Sequence, residues 1–183
     1  MAGDSLTQFG KSLELSYAPK LTAFTMAFMV FGYILGIILI PKVISQSKAL
    51  VLSAVLGALF ALGAATSSVE DTHLFATAFG WLNTLAGMNI PIIPNAVFFV
   101  TLLGWANALM WPAIWPLALH NLGKYTKIGS ALLIMGIAGG ALIPPTYAKL
   151  GQSIGFQQAL WIMVPFYLFI IYYATIGHKV KVK

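Results

Sequence analysis

Hydrophobic positions in this chain come in unbroken blocks, with neither strand-like alternation nor an amphipathic stripe, and the blocks are about as long as a bilayer is thick. A helix that crosses a membrane needs about 20 mostly apolar residues, because hydrocarbon offers no partner to backbone N–H and C=O groups. Five blocks meet that length, at 21–40, 49–66, 97–119, 129–150 and 159–176. Pro19 introduces the first and Pro41 stops it, as expected of a residue that lacks a donor and cannot continue a helix. None of the five contains Asp, Glu or Arg. The pattern predicts an all-α membrane protein: a multi-pass transmembrane helix bundle over 21–177, preceded by an external segment 1–20 and followed by a basic tail 178–183.

One further apolar stretch, 73–94, is interrupted by Gly80, Gly87, Pro91 and Pro94 and is too broken for a span. Leu74, Ala78, Leu82 and Leu85 share one helical face with Trp81 beside it, which predicts a short helix lying in the membrane interface, an outer lid or loop without chemistry of its own.

Composition sharpens this picture. With 60% hydrophobic and 8% charged residues, the chain cannot build the polar exterior of a soluble domain. Its ten basic residues are all Lys and lie scattered in short connections, not on one face, which excludes a nucleic-acid partner. There is no Cys, hence no disulfide framework or thiol chemistry. Lys42, Lys48, Lys124, Lys127, Lys179, Lys181 and Lys183 all follow odd-numbered spans, and the positive-inside rule makes that side cytoplasmic. Asp4, Glu14, Glu70 and Asp71 then lie outside, so the N-terminus is expected out and the C-terminus in. The start lacks the basic n-region and apolar run of a cleaved signal. An exported start with an odd span count leads us to expect at least one helix before Met1.

Enzymatic motifs are missing. Gly10-Lys11-Ser12 has Ser5 where a phosphate loop needs its first glycine. No span offers an acid–base pair or a metal set, so the chain reads as a non-enzyme without cofactor or metal. Residue spacing is more informative. Gly32 and Gly36 in the first span, and Gly136 and Gly140 in the fourth, lie four apart, which lets helix backbones approach closely; plain packing is favoured over ligand contact for each, and close-packed helices that also slide are what a carrier needs. Asn107, Trp111 and Trp115 recur every four residues in the third span and project from one face. Indole faces stack on the C–H faces of sugars and an amide matches hydroxyls, so this face suggests a polar pathway, with packing as the alternative for both tryptophans. Pro112 and Pro116 beside them predict a bend and a gating element. Tyr33 and Asn95 are candidates on polarity alone, with interhelical hydrogen bonding the competing role.

The run from Ala106 to Leu150, ANALMWPAIWPLALHNLGKYTKIGSALLIMGIAGGALIPPTYAKL, resembles sugar carriers of the major facilitator superfamily, in the branch of the fucose-proton symporter and the glucose/galactose transporters. The matching positions are Asn107, Trp111 and Pro112, then Lys124 and Thr126, then Gly129, Ser130, Met135, Gly139, Gly140, Ala141 and Pro144. FGYILGIILIPK, from Phe31 to Lys42, is similar to that family's eighth helix, although Tyr33 stands where many members carry Arg. The resemblance implies that the five spans are helices eight to twelve of twelve, a partial C-terminal bundle, with MAGD the end of helix seven. It further implies a hexose substrate of the fucose, glucose or galactose type, coupling to a proton or other cation through carboxylates in a missing N-terminal half, and alternating access. Asn107, Trp111, Trp115, Ser130, Met135 and Tyr33 would contact substrate, while Gly32, Gly36, Pro112, Pro116, Gly136, Gly139 and Gly140 would serve packing and gating. The competing expectation is a non-transporting membrane scaffold or an inactive remnant of a split transporter gene.

Overall fold

The computed structural model describes residues 2–15, 18–40, 42–86 and 93–179. Pro41, Gly87, Pro91 and the tail 180–183 lie outside the described residues, as do the side chains of Leu82 and Leu85. Within them all regular structure is helical: α1 Ala2–Ser12, α2 Ala18–Leu39, α3 Gln46–Thr66, α4 His73–Ala86, α5 Asn95–Ala108, α6 Met110–Leu119, α7 Thr126–Gly136, α8 Gly139–Ile154 and α9 Met163–Thr175, with 3-10 turns at Gly123–Tyr125, Gln158–Ile162 and Gly177–Lys179. Five helical runs are long and apolar enough to cross a membrane: Leu21–Leu39, Gln46–Thr66, Asn95–Leu119, Gly123–Ile154 and Gln158–Lys179.

Local chemistry sets the helix ends. Helix α3 begins a turn earlier than its apolar block because the Ser45 side chain accepts from the Lys48 N–H and caps it. The third span is interrupted at Leu109, three residues before Pro112, whose ring crowds the carbonyl four residues back and whose missing N–H cannot close the ladder. In the fourth span the N–H groups of Ile137, Ala138, Gly140 and Ala141 bond three residues back, to Ile134, Met135, Ile137 and Ala138. This tightened turn separates α7 from α8 and precedes Pro144 and Pro145, which remove two more donors.

Helix α5 is the hub. It packs against α1, α2, α3 and α4 and buries Ala96, Val97, Val100, Thr101, Leu103 and Ala106. Close approach is made by small residues. A Cβ added at Gly32 would stand 2.7 Å from the Ala108 Cβ and 2.9 Å from the Trp105 ring, and one at Gly36 would collide with Leu109. Helix α3 packs against both α5 and α9 and buries Ala54, Ala58, Ala61 and Ala64. The segment 1–20, expected only as an external stretch, carries α1, whose Leu6 and Phe9 are buried against the core and whose Thr7 hydroxyl lies 2.8 Å from that of Thr22. Helix α4 turns Phe75 and Phe79 inward, onto edge-to-face contacts with Phe98 and Phe28, while Leu74 and Trp81 of the expected interfacial face stay exposed.

The fourth span stands apart. Helix α7 buries no residue and α8 buries Tyr147 and Gly151. A Cβ added at Gly136 or Gly140 meets nothing within 4 Å, and at Gly139 it meets only Ile143 of its own helix.

These contrasts define a stability test. Gly104→Ala drives a methyl into the backbone carbonyl of Thr25 and is expected to lower stability by about 1–3 kcal/mol, the usual cost of overpacking. Gly136→Ala meets open space and is expected to be neutral or to stabilise by up to about 1 kcal/mol through helix propensity. Thermal unfolding of the two variants in detergent micelles checks both signs.

Candidate functional site

Polar side chains inside the spans first answer to the backbone. Thr25, Thr66, Thr101, Ser130, Thr146 and Thr175 each donate to a carbonyl three or four residues earlier in their own helix. The Ser130 hydroxyl is thereby spent on Thr126. Asn95 is spent between elements: its side-chain oxygen accepts from the Leu74 N–H at 3.0 Å and its own N–H donates to the Asp71 carbonyl at 2.7 Å, while Asp71 Oδ1 accepts from the His73 N–H. Together these bonds fasten the start of α4 to the start of α5.

Asn107 is different. Its side-chain oxygen accepts from the Tyr167 hydroxyl of α9 at 3.0 Å, a bond between helices 60 residues apart in sequence. Both residues line a cleft of about 340 Å³ with Met110, Ile143, Met163, Phe166 and Ile170, drawn from α5, α6, α8 and α9. That volume lies within the range of small-molecule pockets, and Asn107 and Tyr167 place the amide and phenol in an otherwise apolar wall.

The remaining sequence-derived candidates do not converge there. Trp111 is 43% exposed and lies tilted at 55° against Trp115, ring centroids 5.7 Å apart. Met135 is 67% exposed on α7. Tyr33 is half-buried on α2, beside the Gly32 contact with α5. None of these lines the Asn107 cleft. Gly32 and Gly36 lie at the α2–α5 contact, and Pro112 and Pro116 lie on α6, just past the interruption at Leu109. A larger cleft of about 550 Å³ between α2, α4 and α5 is lined by Phe24, Phe28, Phe75, Phe79, Phe98 and Trp105 among others and offers almost no polar atom.

Two residues that sequence reasoning passed over hold the bundle at its polar points. Tyr167 is buried with its ring against Gly57 of α3, where any Cβ would collide with it. The rule that flagged Asn107, a polar group inside a span, applies equally to Tyr167, but nothing in sequence separates it from Tyr172 and Tyr173. Gln157 donates from Nε2 to the carbonyls of Ala64 (3.2 Å) and Ser67, satisfying the open end of α3.

The matched proteins are sugar carriers by name. A glucose/galactose transporter of Brucella abortus biovar 1 (strain 9-941) is 38% identical over 84 residues, 46% of this chain and 20% of that protein. A putative glucose/galactose transporter of Helicobacter pylori (strain ATCC 700392 / 26695) is 32% identical over 110 residues, 56% of this chain and 27% of that protein. The L-fucose-proton symporter of Escherichia coli (strain K12) is 29% identical over 82 residues, 45% of this chain and 18% of that protein. The chain thus covers about a fifth to a quarter of the length of the relatives it matches. The resemblance read from the residues is carried by curated relatives over about half the chain. No family model matches, and no solved structure matches.

The Gln157 clamp gives a direct test. Gln157→Leu removes both donors from the end of α3 and is expected to cost about 1–2 kcal/mol, read as a lower thermal midpoint. An unchanged midpoint would mean that water replaces the amide at those carbonyls.

Proposed function

We propose that this chain forms part of the C-terminal helical bundle of a membrane carrier that moves a hexose of the fucose, glucose or galactose type by alternating access, coupled to a proton or another cation. The observation that carries this reading is the similarity to proteins named glucose/galactose transporter and L-fucose-proton symporter, joined to five helices of bilayer length. Asn107 presents an amide to a hexose-sized cleft, and Trp111 with Trp115 offers indole faces that suit the C–H faces of a sugar ring. Tyr33, Ser130 and Met135 lie away from this cleft and enter the reading only as weaker contacts in the assembled carrier. Gly32 and Gly36 form a close α2–α5 contact, the breaks at Leu109 and at Ile137–Ala138 give the third and fourth spans places to bend, and Gly136, Gly139 and Gly140 offer a smooth face for sliding.

In this reading the carrier sits in the inner (plasma) membrane with its C-terminus in the cytoplasm, an orientation that the lysine distribution supports. The coupling carboxylates and the remaining helices come from an N-terminal half, in the same or a separate chain. That half would cover the bare flank of α7 and α8, where Ile134, Met135, Ile137 and Leu142 are exposed.

The test begins with an antibody against the terminal GHKVKVK peptide, used on membranes of the source cell. A band of about twice 19.7 kDa or more, as twelve spans of about 20 residues require, together with sugar uptake, supports the carrier. A 19.7 kDa band without a partner and without uptake supports the scaffold or remnant instead. In the intact carrier, Trp111→Ala is expected to raise the half-saturation concentration for sugar by about 3- to 10-fold through loss of stacking. Unchanged transport constants would remove Trp111 from the site.

A further inference from the structure

We propose that Tyr167 is a positioning residue for substrate, holding the Asn107 amide so that its N–H donors face the sugar; this rests on the carrier reading above. Three helices meet at this point. The Tyr167 ring lies against Gly57 of α3, its hydroxyl donates to Asn107 Oδ1 of α5 at 3.0 Å, and its own backbone belongs to α9. Tyr167 is 7% exposed, whereas Asn107 is half-buried and borders the cleft.

An amide has an acceptor end and a donor end, and rotation about its last bond exchanges them. A fixed hydroxyl that donates to the oxygen selects one orientation and leaves the two N–H groups for a ligand. Among the described residues the Asn107 amide nitrogen has no protein partner, and the cleft wall around it is otherwise apolar. The nitrogen is not sealed off from the cleft, and in an otherwise apolar wall it is the group that a ligand hydroxyl oxygen can meet. The missing side chain at Gly57 is what lets the ring stand where its hydroxyl reaches α5, so three residues on three helices define one donor direction.

The alternative is that the bond only ties α5 to α9. Uptake of labelled glucose, galactose and fucose by the whole carrier in membrane vesicles separates the two roles. Tyr167→Phe keeps the ring and removes the hydroxyl. Its half-saturation concentration is expected to rise about 3- to 10-fold, the worth of one hydrogen bond, with maximal rate and membrane level unchanged. Asn107→Ala is expected to raise it at least as much, and the double variant to be no worse than Asn107→Ala alone.

Gly57→Ala, which displaces the ring but keeps the hydroxyl, should reproduce the Tyr167→Phe shift and likewise lose its effect in the Asn107→Ala background. This variant carries the test if Tyr167→Phe fails to reach the membrane. An effect of Tyr167→Phe that is equally large without Asn107, or that falls on maximal rate alone, overturns the positioning role while leaving Asn107 in the site. If Asn107→Ala itself leaves the half-saturation unchanged, Asn107 leaves the site and the positioning role falls with it, whereas transport by the protein stands.

Discussion

Every feature of this protein follows from one constraint: inside a bilayer there is no water to complete a backbone hydrogen bond. Many hydroxyls within the spans therefore turn back on carbonyls of their own helices, from Thr25 on α2 to Thr175 on α9, while Ser47 of α3 donates to the Ala174 carbonyl of α9 and Thr22 meets Thr7 of α1. Where helices break, something else must step in. At the end of α3 it is the Gln157 amide, and at the start of α4 it is the side-chain oxygens of Asp71 and Asn95. The interruption at Leu109 sits just before Pro112, where the ladder is already short of a donor, while that at Ile137–Ala138 is closed by bonds three residues back.

This constraint explains what the sequence made legible. A rule that acts on every residue of a span leaves its mark on every residue, so five helices of bilayer length could be read from apolar blocks and proline stops. The side-chain consequences are less visible. Polarity marked Asn95 and the family resemblance marked Ser130 as pathway candidates, yet Ser130 bonds to Thr126 four residues back and Asn95 closes the α4–α5 junction. A hydroxyl three or four residues after any carbonyl has a partner in its own helix, whereas an amide or a phenol on a rigid ring reaches further. Ser47, whose hydroxyl reaches the Ala174 carbonyl of α9, is an exception, but such reach is what joins Asn107 to Tyr167, and it depends on the register of two helices that sequence does not supply.

Glycine spacing shows the same limit. Gly32 and Gly36 admit Trp105, Ala108 and Leu109 of the third span, while Gly136 and Gly140, with identical spacing, face open space. The motif states that a close approach is possible and is silent about the approaching surface. Likewise the Leu74–Ala78 face of α4 was evident from periodicity, but the residues that dock this helix are Phe75 and Phe79, because their partners Phe28 and Phe98 arrive from other helices.

The fourth span turns this limit into an argument. Glycine within a helix costs about 1 kcal/mol against alanine, a penalty met in full at Gly32 and Gly36 inside α2 and only in part at Gly136, which ends α7, and at Gly139 and Gly140, which begin α8. At α2 such a penalty is offset by the close contact with α5. Along α7 and α8 no helix among the described residues provides that compensation, and lipid tails pack as well against alanine as against glycine. A smooth glycine face is useful where another helix must come close or slide, and the carrier reading supplies such a surface in the opposing half of an alternating-access transporter. The scaffold reading supplies none. Among the described residues, the least buried span is therefore the one that the proposed carrier would set against a partner.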